Sequence, residues 1–232
     1  MSEKLCLLYN ISTIPDSIDL KWYMHPIKQV PLAIHCLINL VTATQPATIS
    51  ILRATSKDQL ELMHWWKGQP LMFSTLPSEG LFSFVAECAN QSGSTACLIA
   101  HPKAVLSSAE CLDHLMTSVE DEADIAWYKG PPYGTYPFVV GSRLANCFKT
   151  LGLQQEEQNH SVMAVDWALQ MLQNTGIREY VESELNRPLR LRSAGPGKKR
   201  IFGETIQPIS TPTGLSILEE CIASSDAGRG YE

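Results

Sequence analysis

The stretch that decides the fold is residues 48–74, which read TISILRATSKDQLELMHWWKGQPLMFS. Residues 48–53 form a short apolar run that is typical of a buried strand, and residues 71–74 form a second one. Between them, Ser56 is a candidate N-cap for a helix that extends through Lys67. Parallel strands need a long crossover connection, usually a helix, so this stretch predicts a β-α-β unit.

The same alternation continues along the chain on both sides. Further strands are predicted at 5–9, 96–100 and 124–127, and further helices at 31–41, 80–91, 108–119 and 161–173. Helices between most strands predict an α/β fold: a three-layer α/β/α sandwich around a mainly parallel sheet. Residues 1–222 are expected to form a single domain, and 223–232 a flexible tail.

Two further predictions concern residues 139–151 and Gly176. Residues 139–151 read as a mixed segment, with an exposed edge strand near Val139 that is a candidate site for a homodimer contact. Gly176 is expected to end the helix predicted at 161–173, because glycine commonly stops a helix.

Composition narrows the class of protein. The formal net charge is −6 and the pI is about 5.5, which argues against nucleic acid as a partner because phosphate backbones require a basic surface. No apolar run approaches the roughly 20 residues of a membrane span, so no membrane association is expected. The 7 cysteines include no CxxC pair, which predicts reduced core cysteines in a cytoplasmic protein and gives zinc or iron–sulfur sites little support.

Several short motifs occur in one order along the chain. Residues 30–32 (Val-Pro-Leu) precede a predicted helix, residues 54–56 (Ala-Thr-Ser) end a predicted strand, and Arg178-Glu179 precede the turn at 209–214 (Ile-Ser-Thr-Pro-Thr-Gly). Together they resemble the nucleotidyltransferase branch of the GT-A fold. The resemblance is closest to the spore-coat polysaccharide cytidylyltransferases and more distant to the 3-deoxy-manno-octulosonate cytidylyltransferases.

This resemblance implies a fold of the nucleotide-diphospho-sugar transferase type. It also implies transfer of CMP or another nucleoside monophosphate to a sugar, in sugar-nucleotide or surface-polysaccharide metabolism. Mg²⁺ is the family's cofactor, a nucleotide or nucleotide sugar is the expected partner, and dimers are common in the family.

The family's metal ligands are missing. His101 stands where the resemblance implies an Asp before Pro, and Ser210 stands where the family's Thr-Pro turn has its Asp. Mg²⁺ prefers hard oxygen ligands, and imidazole is a poor substitute. We therefore assign no metal ligand and expect Mg²⁺-dependent transfer to be lost or altered, which leaves enzyme activity open. His101 either contacts a ligand or is an ordinary histidine at a strand end.

The loop after the first strand also departs from the family. Residues 10–29 contain no Gly and no Arg, and their only Lys residues are Lys21 and Lys28. Without Gly, this backbone is not expected to adopt easily the positive-φ turns that cup a phosphate. Either Lys21 or Lys28 still meets a phosphate, or the loop is simply solvated.

The remaining candidate substrate-binding residues are Arg53, Thr55, Arg178 and Thr211, with Ser210 beside Thr211. Arg178 either contacts a ligand phosphate or carboxylate, or forms an exposed ion pair with Glu179. Arg53, at the end of a predicted strand and just before Thr55, presents the same choice.

Three functions remain open on the sequence. The first is a cytidylyltransferase-like protein with a degenerate site, and the second is a non-catalytic domain that binds a nucleotide, a sugar or a partner protein. The third is a glycosyltransferase on the same fold, which needs an Asp-x-Asp motif. The nearest match, residues 121–124 (Asp-Glu-Ala-Asp), has the wrong spacing and reads as a solvated helix end.

Overall fold

A computed structural model describes residues 5–11, 24, 26–75, 80–100, 109–128, 137–153 and 164–194. The Thr-Pro turn at 209–214 and the tail at 223–232 lie outside these residues. So do four candidate site residues: Lys21, His101, Ser210 and Thr211.

Nine strands and seven helices lie within the described residues. The strands are β1 (Leu5–Asn10), β2 (Pro26–Ile27), β3 (Val30–Pro31), β4 (Thr48–Leu52), β5 (Leu71–Ser74), β6 (Ala96–Ala100), β7 (Ile125–Tyr128), β8 (Phe138–Gly141) and β9 (Leu191–Ala194). The helices are α1 (Leu32–Thr44), α2 (Ser56–Trp65), α3 (Leu81–Ser92), α4 (Ala109–Glu120), α5 (Ser142–Thr150), α6 (Ala164–Met171) and α7 (Thr175–Leu185). The β-α-β unit predicted from residues 48–74 is confirmed as β4, α2 and β5.

Seven of the strands form one sheet in the order β5-β4-β1-β6-β8-β7-β9. Neighbouring strands are parallel except where β8 pairs antiparallel with both β6 and β7. The sheet is therefore mainly parallel, as predicted. The expectation of an exposed edge strand near Val139 is wrong, because Val139 lies in β8, inside the sheet, and is fully buried.

Strict alternation along the strands produces two cores, one on each face of the sheet. In β1, Leu5, Leu7 and Tyr9 pack under α1, α2 and α4, whereas Cys6 and Leu8 pack under α3, α5, α6 and α7. Successive side chains of a strand point to opposite faces, so each central strand contributes to both cores. The three-layer α/β/α sandwich is confirmed.

The helices begin and end where local capping allows. Gly176 does not end a helix: it lies in the first turn of α7, whose N-cap Asn174 accepts a hydrogen bond from Ile177 N at 3.2 Å. The predicted helix at 161–173 is observed as α6, and the mixed segment at 139–151 separates into β8 and α5. Ser56 is the first residue of α2 rather than its cap, which is Thr55.

The acidic stretch at 121–124 is only partly solvated, which corrects the expectation for Asp124. This side chain is 3% exposed and forms a two-pronged ion pair with Arg187, at 2.7 Å and 3.0 Å. Asp124 also accepts a hydrogen bond from Arg190 N at 2.8 Å, so it ties the start of β7 to the segment between α7 and β9.

The cysteines behave as core residues wherever they are described. Six of them are free and buried, and Cys221 lies outside the described residues. Burial raises the pKa of the Cys88 thiol to about 11 and that of the Cys111 thiol to about 12. These thiols therefore remain protonated near neutral pH, as expected of packing residues.

Candidate functional site

The candidate site lies at the edge where the parallel strands end. From β1 the chain adds β4 and then β5 on one side, and then crosses to add β6 on the other side of β1. In open α/β sheets, ligands bind beyond the carboxyl ends of the strands at such a reversal of order. Asn10 ends β1 here and is 3% exposed. Sequence reasoning missed Asn10, although a polar residue that directly ends a buried strand is a usable signal.

Arg53 lies at this edge, directly after β4. Its backbone is left-handed, with φ 61°, and its N–H donates to Ser74 O of β5 at 3.0 Å. Its side chain is exposed. A residue other than glycine costs roughly 1–2 kcal/mol in this conformation, and such strain persists only where the surrounding structure enforces it.

Thr55, two residues after Arg53, is the N-cap of α2. Its Oγ1 donates to Asp58 Oδ2 at 2.6 Å and accepts from Asp58 N at 3.2 Å, while Thr55 N donates to the same carboxylate at 3.1 Å. This reciprocal pair is a capping box. The carboxyl group of Asp58 is buried within it, and its contacts fix the backbone just after Arg53.

We expect Asp58→Ala to lower the free energy of unfolding by about 2 kcal/mol, because the N–H and the hydroxyl of Thr55 lose the carboxylate that accepts their hydrogen bonds. Urea unfolding of the variant measures this loss. Glu61→Ala, on the same helix, is the control and is expected to change stability by less than about 0.5 kcal/mol. Equal losses in the two variants would contradict this role for Asp58.

Lys28 lies at the same edge, in the two-residue turn between β2 and β3. Lys28 and Gln29 have φ 49° and 70°, so this loop does form a positive-φ turn without glycine, contrary to the sequence-based expectation. The turn is anchored by His35 of α1, whose Nε2 lies 3.0 Å from Ile27 O. Burial lowers the pKa of His35, and the positive charge of Lys28 lowers it further.

Arg178 is in a different layer. It lies on α7, in the layer of helices opposite α2, and its Nε donates to Glu182 Oε1 at 3.1 Å. Its ion-pair partner is thus Glu182 rather than Glu179. Glu182 also accepts a hydrogen bond from Leu189 N. This bond is the main cause that lowers the pKa of the Glu182 carboxyl group, and the hydrogen bond from Arg178 lowers it further. The described structure brings Lys28, Arg53 and Thr55 to one edge but does not add Arg178 to them.

The described residues do not fit a magnesium site. Within the described ranges, no three or more His, Cys, Asp or Glu side chains are grouped so that they could hold a metal ion. Asp58 is engaged by the cap, and Asp124 lies at the start of β7, at the opposite edge of the sheet, in its pair with Arg187. The described residues therefore supply no magnesium site, and positions 101 and 210 lie outside them.

Comparisons with solved structures show the fold. A CMP:2-keto-3-deoxy-manno-octonic acid synthetase complexed with CTP superposes with a TM-score of 0.60 at 8% identity, over 95% of this chain and 99% of that one. A cytidylyltransferase from Leptospira borgpetersenii gives 0.63 at 11% identity, over 95% and 87%. The molybdopterin-guanine dinucleotide biosynthesis protein A from Archaeoglobus fulgidus gives 0.57 at 14% identity, over 95% and 100%.

At these identities the likeness establishes the architecture alone, an α/β, GT-A-like sandwich that this chain shares with those proteins. No protein-family model matches the sequence, and a comparison with curated proteins finds no relative. In the described part of the chain, every helix is too short or too polar to span a membrane.

Proposed function

We propose that this protein binds a nucleotide or nucleotide sugar at the carboxyl edge of its sheet, and that Mg²⁺-dependent nucleotidyl transfer has been lost or altered. On this proposal it is a cytidylyltransferase-like protein of sugar-nucleotide or surface-polysaccharide metabolism. The observation that carries the proposal is the reversal of strand order beside β1, with Asn10, Lys28 and Arg53 at the edge where the strands end.

The electrostatics of this edge suit an anionic ligand. Lys28 and Arg53 are exposed cations in a chain whose net charge is −6. Arg binds phosphate oxygens through two parallel hydrogen bonds, and Lys acts as a point charge. Thr55 and Asp58 contribute indirectly, because their cap holds the backbone between Arg53 and α2.

The glycosyltransferase alternative gains nothing from the described residues. It requires an Asp-x-Asp motif; the nearest match, at 121–124, has the wrong spacing, and its Asp124 is held in a buried pair with Arg187. A domain that binds only a partner protein is the alternative that the following experiment separates from the proposal.

Thermal unfolding of the full chain tests the proposal, with CTP, other nucleoside triphosphates and nucleotide sugars, each with and without Mg²⁺ and Mn²⁺. A ligand at 100 times its Kd stabilises the folded state by about 2.7 kcal/mol, so we expect a clear rise in Tm for at least one nucleotide without metal. A flat response across the panel contradicts nucleotide binding and favours the protein-binding alternative. A rise that appears only with Mg²⁺ contradicts the loss of metal-dependent chemistry.

A further inference from the structure

Three exposed cations lie at the carboxyl edge, on the side of the sheet covered by α1 and α2. Lys28 lies in the turn that leads into α1, Arg53 directly follows β4, and Lys57 is in the first turn of α2. A helix that connects parallel strands starts where the preceding strand ends, so both helices begin at this edge. β3, which follows Lys28 closely, also contacts α2.

None of these three cations is neutralised within the described part of the chain. Arg178, Arg187, Arg190, Arg192 and Lys149 each form an ion pair with a carboxylate. Lys67 and Arg143 form no ion pair with a described residue, but each donates to a backbone carbonyl oxygen. Lys28, Arg53 and Lys57 form no ion pair with any described residue. All three are exposed, so the described structure leaves a local excess of positive charge in an acidic protein.

The positions of these cations are unfavourable for the fold itself. Arg53 and Lys28 occupy left-handed backbone, where glycine or asparagine is accommodated more easily. Lys57 stands in the first turn of α2, where the helix dipole disfavours a cation. Left-handed backbone also occurs at Gln45 and Glu122, so the informative feature is that three unfavourably placed cations occur at one edge.

We infer that Lys28, Arg53 and Lys57 form an anion site that holds the phosphate chain of a nucleoside di- or triphosphate, or of a nucleotide sugar, without a divalent cation. This inference rests on the proposed function, because it assigns the charged part of the same ligand. It adds that protein cations, rather than Mg²⁺, neutralise the phosphates.

Isothermal titration of the full chain in EDTA, with CTP in one arm and inorganic triphosphate in the other, tests the inference. We expect CTP to bind, triphosphate to bind more weakly at the same site, and both affinities to fall as salt rises. Arg53→Gly is expected to weaken CTP binding by about tenfold or more, because a charge-assisted contact is lost. The same change is expected to raise Tm, since glycine relieves the left-handed strain, so unfolding cannot explain the lost affinity.

Matched controls remove a cation at the opposite edge of the sheet. Arg143 lies in the first turn of α5, after β8, which runs antiparallel to its neighbours in the sheet, and Lys67 follows the end of α2. Arg143→Ala and Lys67→Ala are expected to leave CTP affinity within about twofold of wild type at the same ionic strength. Lys57→Ala and Lys28→Ala are expected to weaken it, with Lys28→Gly tested beside them because glycine retains the turn.

The outcomes separate this inference from the proposed function. If CTP binds in EDTA with the same affinity to wild type and to the Arg53, Lys28 and Lys57 variants, the inference is overturned and nucleotide binding stands. Binding that EDTA abolishes also overturns it. If triphosphate and CTP bind equally and the variants weaken both, the anion site is supported and nucleotide recognition is not. If neither ligand binds, both proposals fail.

Discussion

Replacing Asp124 by Ala is expected to lower the free energy of unfolding by about 3–5 kcal/mol, the cost typical of removing one partner from a buried ion pair. The carboxylate accepts hydrogen bonds from Nη1 and Nη2 of Arg187, at 2.7 Å and 3.0 Å, and from Arg190 N at 2.8 Å. Its side chain is 3% exposed and that of Arg187 is 19% exposed. The substitution therefore leaves a guanidinium and a backbone N–H in poorly solvated positions.

Urea unfolding of wild type, Asp124→Ala, Arg187→Met and the double variant measures this effect as a double-mutant cycle. The double variant is expected to recover part of the loss, because no uncompensated charge remains. Asp121→Ala is the control: its pair with Arg192 is exposed, so we expect a change below about 1 kcal/mol. A loss for Asp124→Ala as small as that of the control would contradict a structural role for the pair.

The sheet and its two helical layers could be predicted because their signals are local. Each central strand is a short apolar run, and each crossover helix has apolar residues on one face, so β1, β4, β5 and β6 were found within a residue or two of their observed bounds. The order of the strands in the sheet was not predicted. It depends on which strands pair, and those contacts join segments far apart in the chain.

The wrong predictions share this cause. Asp124 reads as part of an acidic run, but its partner Arg187 lies 63 residues away, so no local pattern reveals the burial of the carboxylate. Val139 was predicted to lie in an edge strand because no local pattern shows that β8 pairs with β6 on one side and with β7 on the other. Gly176 reads as a helix stop, but the cap provided by Asn174 starts a new helix just before it.

The candidate site was predictable only in part. The Thr55 cap has a short-range signature, since an acidic residue follows the Thr by three positions, although Ser56 was chosen as the cap instead. Arg53 was found because it ends a strand, but its left-handed backbone was not, because Arg carries no preference for that conformation. Lys28 was predicted as a candidate phosphate contact, but the positive-φ turn in which it lies was not expected in a segment without glycine.

Replacing Phe148 by Ala is expected to cost about 3–5 kcal/mol of stability, through lost apolar burial and the cavity left behind. Phe148 is fully buried in α5, and its ring centroid lies 5.2 Å from that of Phe82 and 5.7 Å from that of Trp167. Phe82 in turn stacks on Trp167 at 5.4 Å. The three rings join α3, α5 and α6, so the loss of one ring loosens the whole layer.

The matched control for Phe148→Ala is Lys149→Ala, one residue further along α5. Its exposed pair with Glu87 is expected to contribute less than about 1 kcal/mol. Phe148→Leu should recover part of the loss in urea unfolding, because it retains an apolar side chain at reduced volume. Equal stability of Phe148→Ala and wild type would mean that α5 does not pack on α3 as described.

The three aromatic rings lie on the face of the sheet opposite α2. At temperatures where Phe148→Ala remains folded, the affinity of this variant for CTP should therefore match that of wild type. That result would separate loss of stability from loss of the site at Arg53.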